Sequence, residues 1–223
     1  MVENKRYVSK GKYIAAFIVT VSIFVIGLFI GLEFSDYTTS QFQREQDLLK
    51  IQLTSVDIKN ELIGKTDFCS LELESLLKDK VSLGERIEAL EISQGKDDPD
   101  VLIQKEFYQL VQIKTWLLLR DLKISCSNIN QNIILFFYTN KEDKDGRDKM
   151  SQTQGFLLNE LYYNYPESIA IFSFDINTDN TALETLKEIY KVKEAPTVII
   201  NEKLYSGFKS SEEVEILLGL NNK

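Results

Sequence analysis

The stretch from Tyr13 to Leu32 constrains the fold most, because it contains twenty residues without a charge. A helix rises about 1.5 Å per residue, so this stretch spans roughly 30 Å, the thickness of the hydrocarbon core of a bilayer. A cleaved signal peptide has a shorter apolar region followed by small residues at a cleavage site, and the sequence from Gly31, GLEFSDYTT, lacks that pattern. The sequence therefore predicts a retained, single-pass transmembrane helix over residues 13–32.

The charges around this helix predict its orientation. Four basic residues and one acidic residue lie in residues 1–12, whereas Glu33 and Asp36 follow the helix. Positively charged flanks stay in the cytoplasm, so we expect residues 1–12 to form a cytoplasmic tail and the C-terminal part to be extracytoplasmic, at the cell membrane. The net charge is −8, and the acidic excess lies beyond the helix, which argues against nucleic-acid binding.

Two patterns indicate pairing with a second copy of the chain. Gly27 and Gly31 form a GxxxG pattern in the membrane helix, and the alternative, which is favoured over pairing, is the ordinary glycine content of such helices. In residues 33–65, apolar residues recur every seven positions, at Phe42, Leu49, Val56 and Ile63. This spacing predicts either a parallel, coiled-coil dimeric stalk or a helix that packs against its own domain.

Residues 66–129 carry two helical patterns separated by the polar loop SQGKDDP. Thr66 is placed to cap the first helix, and Asp98 with Pro99 is typical of the start of the second. A short loop between two long helices predicts an antiparallel helical hairpin.

The chain has only two cysteines, Cys69 and Cys126, one in each helical segment of this hairpin. In an antiparallel pair around a loop near Lys96 they lie almost opposite each other, offset by roughly 2–5 Å along the axis. We predict one structural disulfide between them; the alternative is two buried free thiols. Two cysteines 57 positions apart in a chain without histidine fit neither zinc nor iron–sulfur sites, so we expect no metal and no cofactor.

Residues 130–223 change to an alternating pattern of strands and helices. Short apolar or β-branched runs predict four strands, at Ile133–Tyr138, Ser168–Phe174, Thr197–Ile200 and Lys203–Tyr205. Asp148 and Ser151 are interpreted as caps of the helix after the first strand, and Thr181 as the N-cap of the helix after the second.

This order of elements resembles that of the thioredoxin fold. The spacing of Pro196, Ile200, Asn201 and Gly207 is similar to that of the proline-to-glycine hairpin of glutaredoxins. The resemblance implies a cis bond before Pro196 and a partner-binding surface at Ala195, Pro196 and Thr197, where the backbone can pair with an extended chain. The whole arrangement also resembles membrane-anchored archaeal proteins with a helical region ahead of a thioredoxin-like domain.

The resemblance does not extend to the redox motif. Thioredoxin-like oxidoreductases carry CxxC, or at least one Cys, between the first strand and the next helix, where the helix N-terminus lowers the pKa of the thiol. The corresponding residues here, 139–155, include no cysteine, and Ser151 has no histidine in the chain to act as its base. These departures favour a role other than catalysis.

The sequence thus predicts an α/β protein with an N-terminal transmembrane helix, an α-helical stalk and hairpin, and a C-terminal thioredoxin-like domain. We expect a redox-inactive, membrane-tethered module that binds a partner protein or an extended peptide on the extracytoplasmic side. One alternative is a thiol–disulfide oxidoreductase or disulfide chaperone that uses cysteines of its partner. Another is an envelope structural protein that acts through its helices.

Overall fold

The structure is a computed structural model that describes residues 10–63, 73–127 and 129–220. The helices and strands of these residues are α1 (Lys10–Ile63), α2 (Leu73–Gln94), α3 (Pro99–Ser125), β1 (Asn132–Tyr138), α4 (Arg147–Asn164), β2 (Ile169–Asp175), α5 (Thr181–Tyr190), β3 (Thr197–Ile200), β4 (Lys203–Ser206) and α6 (Ser211–Leu218).

The chain divides into two compact units, residues 1–48 and 49–223. In the first unit, residues 10–31 of α1 form a helix long and apolar enough to span a membrane, and their side chains are exposed. Apart from the adjoining residues and the nearby backbone of α1 itself, no described atom lies within 4 Å of the positions where a Cβ would stand at Gly27 and Gly31. That surface is therefore open, and pairing of two copies through it stays a prediction.

The part of α1 in the second unit packs against the chain itself. Val56 is buried, and Leu53 contacts a cluster that includes Leu83 and Val111. The Lys114 ammonium donates to the Asp57 carboxylate. Of the other heptad positions, the side chains of Phe42, Leu49 and Ile63 lie outside the described set. The observed contacts favour a helix that packs on its own domain, and a dimeric stalk stays a prediction.

α2 and α3 form a helical hairpin joined by residues 95–98. Asp98 is the N-cap of α3, since its Oδ1 accepts from the backbone N–H of Asp100 at 2.9 Å, and Pro99 is the first helical residue, as predicted. Gly84 of α2 permits close packing, because a Cβ there would lie 2.7 Å from the hydroxyl of Tyr108. Thr66 and Cys69 lie outside the described residues.

The four strands form one mixed sheet in the order β2-β1-β3-β4. β1 pairs in parallel with β2 and antiparallel with β3, which pairs antiparallel with β4. The central strand β1 is buried at five of its seven residues, as expected for a strand covered on both faces. One face packs against α3 and α5 through Phe137, Phe172 and Phe174, and the other packs against α4 and α6. This order and these connections confirm the predicted α/β fold with a thioredoxin-like C-terminal part.

Two predicted helix starts are wrong. α4 begins after Gly146, which has φ 68° and makes no side-chain cap, so Asp148 and Ser151 lie inside the helix instead of capping it. α5 is capped by Asn180, whose Oδ1 accepts from the N–H groups of Ala182 and Leu183, and Thr181 is the first helical residue. Asn and Thr are both good N-cap residues, so two such residues in a row leave the sequence ambiguous by one position.

Candidate binding site

The three predicted partner-binding residues lie at the start of β3. The bond between Ala195 and Pro196 is cis, as predicted. The carbonyl of Pro196 accepts from the N–H of Gly207 at 2.8 Å. Ala195 is only 3 % exposed and Thr197 is fully buried, and Pro196 is buried as well. Little of the surface of these three residues is exposed to an incoming peptide, and their binding role stays a prediction.

The segment between β1 and α4, where thioredoxin-like oxidoreductases carry a redox thiol, is held here by a serine. Ser151 is 2 % exposed, and its Oγ accepts from the backbone N–H of Thr139 at 3.2 Å. The bond ties the end of β1 to the first turns of α4. Ser151 therefore satisfies a buried backbone donor, and its geometry is that of a structural hydroxyl.

The outer edge of β2 is closed by side chains of the helical hairpin. The parallel register directs the N–H and C=O groups of Ile171 and Ser173 away from β1. The Gln112 amide accepts from Ser173 N at 2.8 Å through Oε1 and donates to Ser173 O at 2.7 Å through Nε2. The Lys80 ammonium donates to Ile171 O. The hairpin thus occupies the bonding positions that an additional strand would use.

Burial of Lys80 should make the stability of the fold depend on pH. It lowers the pKa of Lys80 from 10.5 to about 8. Between pH 8 and about 10.5 the Lys80 ammonium loses its proton in the folded chain and keeps it in the unfolded chain. The free energy of unfolding should therefore rise with pH in this range, by up to about 1.4 kcal/mol per pH unit. Urea unfolding at pH 7.5, 8.5 and 9.5 should show this rise in the parent chain and not in Lys80→Met. Parallel curves for the two proteins would contradict it.

The outer edge of β4 is open among the described residues. The two-residue turn at Asn201 and Glu202, with φ 47° and 70°, suits a tight hairpin. Because Gly207 N donates to Pro196 O, the antiparallel alternation directs the backbone groups of Leu204 and Ser206 away from β3. Beside them, Leu204 is 38 % exposed and Phe208 is 37 % exposed. This edge carries free backbone donors and acceptors next to apolar side chains.

A buried ion cluster lies against β2, at the edge of the sheet opposite β4. The Lys105 Nζ is 2.9 Å from Glu91 Oε1 and 3.6 Å from Asp175 Oδ2, and Lys105 is 5 % exposed. Burial, and then the nearby carboxylates of Asp175 and Glu91, raise the pKa of Tyr138, so its hydroxyl stays protonated. Within the described residues, no group of three or more His, Cys, Asp or Glu side chains is placed to hold a metal ion.

The residues that close the β2 edge and build the ion cluster are not among those predicted from the sequence. Lys105, Gln109 and Gln112 follow one another at helical spacings of four and three on α3, and all three are buried. These polar residues lie on one face of a helix that also buries apolar residues. That spacing is the one feature of the sequence that could have indicated buried polar contacts on α3.

No protein-family model and no curated protein matches the sequence. Among solved structures, the chain is similar to a malarial protein, with 22 % identity over 42 % of this chain and 100 % of that chain and a TM-score of 0.32. It is similar to chloroplastic thioredoxin z, with 11 % identity over 45 % and 86 % of the two chains and a TM-score of 0.34. It is also similar to the germline-specific thioredoxin Deadhead of Drosophila melanogaster, with 18 % identity over 44 % and 84 % and a TM-score of 0.29. Because these TM-scores are low, the thioredoxin-like assignment rests on the strand order and the connections of the sheet.

Proposed function

We propose that the chain is a redox-inactive, membrane-tethered module that binds an extended segment of a partner protein on the extracytoplasmic side. The observation that carries this proposal is the asymmetry of the sheet: the edge at β2 is closed by Gln112 and Lys80, and no described residue pairs with the edge at β4. An open edge pairs with an extended chain through backbone hydrogen bonds and needs no thiol.

The β4 edge can supply up to four backbone hydrogen bonds, from the N–H and C=O groups of Leu204 and Ser206. Each bond contributes about 0.5–1.5 kcal/mol net, so the backbone alone gives weak binding. The exposed side chains of Leu204 and Phe208 offer additional apolar contact. A membrane anchor shared by both partners would raise their effective concentration, which suits a weak contact of this kind.

Cross-linking at the β4 edge tests the proposal. A benzoylphenylalanine in place of Leu204, in the full chain in its native membrane, should yield a discrete adduct on irradiation. Ser206→Pro removes an outward N–H and should abolish that adduct while leaving the unfolding temperature close to that of the parent, because proline is tolerated on edge strands. The same photoreactive group at Glu188, which is exposed on α5, is the control. An adduct that persists with Ser206→Pro, or that also forms from position 188, would contradict the proposal.

Proteolysis of intact cells tests on which side of the membrane the thioredoxin-like part lies. Trypsin added outside intact cells or spheroplasts should cleave the exposed loop at Lys141–Lys149 and leave residues 1–12 intact, because the basic flank of the apolar helix stays in the cytoplasm. Detection with one antibody against each end of the chain separates the fragments. Cleavage of the tail with an intact loop would place the thioredoxin-like part in the cytoplasm.

An extracytoplasmic location fits the proposed bond between Cys69 and Cys126, since disulfides persist in oxidising compartments. Cys126 is 4 % exposed and follows the last turn of α3, and Cys69 lies outside the described residues. The loop closed by the bond would stabilise the fold by on the order of 3–4 kcal/mol. Labelling of the denatured, unreduced protein should find no reactive thiol and no disulfide-linked dimer. Two reactive thiols per chain would rule the bond out.

A further inference from the structure

A cavity of about 450 Å³ lies between α2 and α4, on the side of the sheet edge formed by β2. Its wall includes Glu91, Lys105, Tyr108, Gln109, Tyr138 and Phe156. The volume is in the range of sites for small molecules, which bury most of their ligand's surface. The cavity is at the opposite edge of the sheet from β4, so it is independent of the proposed peptide contact.

The charges of this cavity do not balance. Lys105 pairs with two carboxylates, those of Glu91 and Asp175. The wall also carries Glu88, Asp148 and Lys96, so carboxylates outnumber ammonium groups around the space. Burial first, and then the same two carboxylates, raise the pKa of Tyr138, and the contribution of the carboxylates agrees with a negative potential at its hydroxyl. A ligand with a positive charge would offset this excess.

Hydrogen bonding shows the same imbalance. Gln109 is 2 % exposed, and its Nε2 donates to the Thr178 Oγ1 at 2.6 Å, which leaves its Oε1 without a hydrogen-bond partner among the described residues. A buried acceptor without a partner costs about 1–3 kcal/mol, so such an atom indicates a missing donor. A group with several N–H bonds can serve this oxygen and the Glu91 carboxylate at once.

We propose that this cavity binds a small organic cation through an ammonium or guanidinium group. Glu91 supplies the charge-assisted contact, and the Gln109 Oε1 accepts a second hydrogen bond. Tyr108, Tyr138 and Phe156 also line the cavity, and an aromatic wall favours an organic cation over a neutral molecule of the same shape. The same group can arrive on a free amine or at the end of a Lys or Arg side chain of a peptide.

Calorimetric titration of the purified full chain tests the proposal with defined probes. Agmatine and 1,5-diaminopentane should bind saturably, and 1,5-pentanediol, which has the same length and no charge, should not. A capped Gly-Lys-Gly peptide separates the two sources, because tighter binding of the peptide than of the free amines assigns the cation to a side chain. Absence of binding by all three cations, or equal binding of the diol, would overturn the proposal.

Two variants locate the bound group. Glu91→Gln should weaken binding of the amine at least tenfold, and Glu212→Gln, the same change on the exposed first turn of α6, should leave it unchanged. Gln109→Leu removes the acceptor that lacks a partner and also the donor to Thr178, so it should weaken binding, and it should lower the unfolding temperature less than Glu91→Gln does because the unpaired buried oxygen is removed as well. This second variant keeps the test decisive if Glu91→Gln impairs folding. Unchanged affinity in Gln109→Leu and Glu91→Gln would place the cation elsewhere.

Discussion

Replacement of Lys105 with methionine is expected to lower the free energy of unfolding by about 3 kcal/mol, because it leaves the buried carboxylate of Asp175 and the partly buried carboxylate of Glu91 without their shared counter-ion. Methionine has a similar length and fills the same space, so lost charge is the main change. Urea unfolding of the full chain at pH 7 measures the effect.

Lys114→Met is the matched control for this prediction. It makes the same change on the same helix, but Lys114 and its partner Asp57 are partly exposed, with side-chain exposures of 33 % and 54 %. An exposed pair contributes about 0–1 kcal/mol, so this variant should unfold close to the parent. Adding Asp175→Asn to Lys105→Met should recover part of the loss by removing one of the two repelling charges. Equal effects of the two lysine variants would mean that Lys105 is not in a buried cluster.

Gln112→Leu is the second substitution with a large expected effect, about 2–4 kcal/mol of lost unfolding free energy. The Gln112 amide is 1 % exposed and satisfies both the N–H and the C=O of Ser173 on the outer edge of β2. Leucine fills the space but leaves both backbone groups unpaired, and each such group costs about 1–3 kcal/mol.

Gln152→Leu is the control for this substitution, because Gln152 is exposed on α4 and the same chemical change there should cost within about 0.5 kcal/mol. The loss in Gln112→Leu should also appear as faster amide exchange of Ser173. A variant with parent-like stability and parent-like exchange would show that something else closes the β2 edge.

The parts of the fold that were predictable from the sequence are those set by local patterns. The apolar run of β1, the hairpin at Asn201 and the helix start at Asp98 and Pro99 each follow from residues close together in the chain. The spacing of Pro196 and Gly207 was also informative, because it matched a known register.

What could not be predicted depends on distant partners. Polar residues at helical spacing usually face solvent, so Lys105 and Gln112 gave no sign that Asp175 and Ser173 would lie beside them. The burial of Ala195 was not predictable for the same reason. The spacing in the sequence indicates where a strand starts, but it does not indicate which residues pack over that start. The proposed contact at the outer edge of β4 is a second candidate surface, and the binding role of Ala195, Pro196 and Thr197 stays a prediction.

Amide hydrogen exchange on the purified full chain tests the central claim most directly, that the sheet has one closed edge and one open edge. The N–H groups of Leu204 and Ser206 should exchange near the rate of an unprotected peptide, and that of Tyr205, which is directed at β3, should exchange on the order of 100-fold more slowly. Ser173 N–H should be protected at least as well as Tyr205, because Gln112 holds it. Fast exchange at Ser173, or exchange at Ser206 as slow as at Tyr205, would contradict the account.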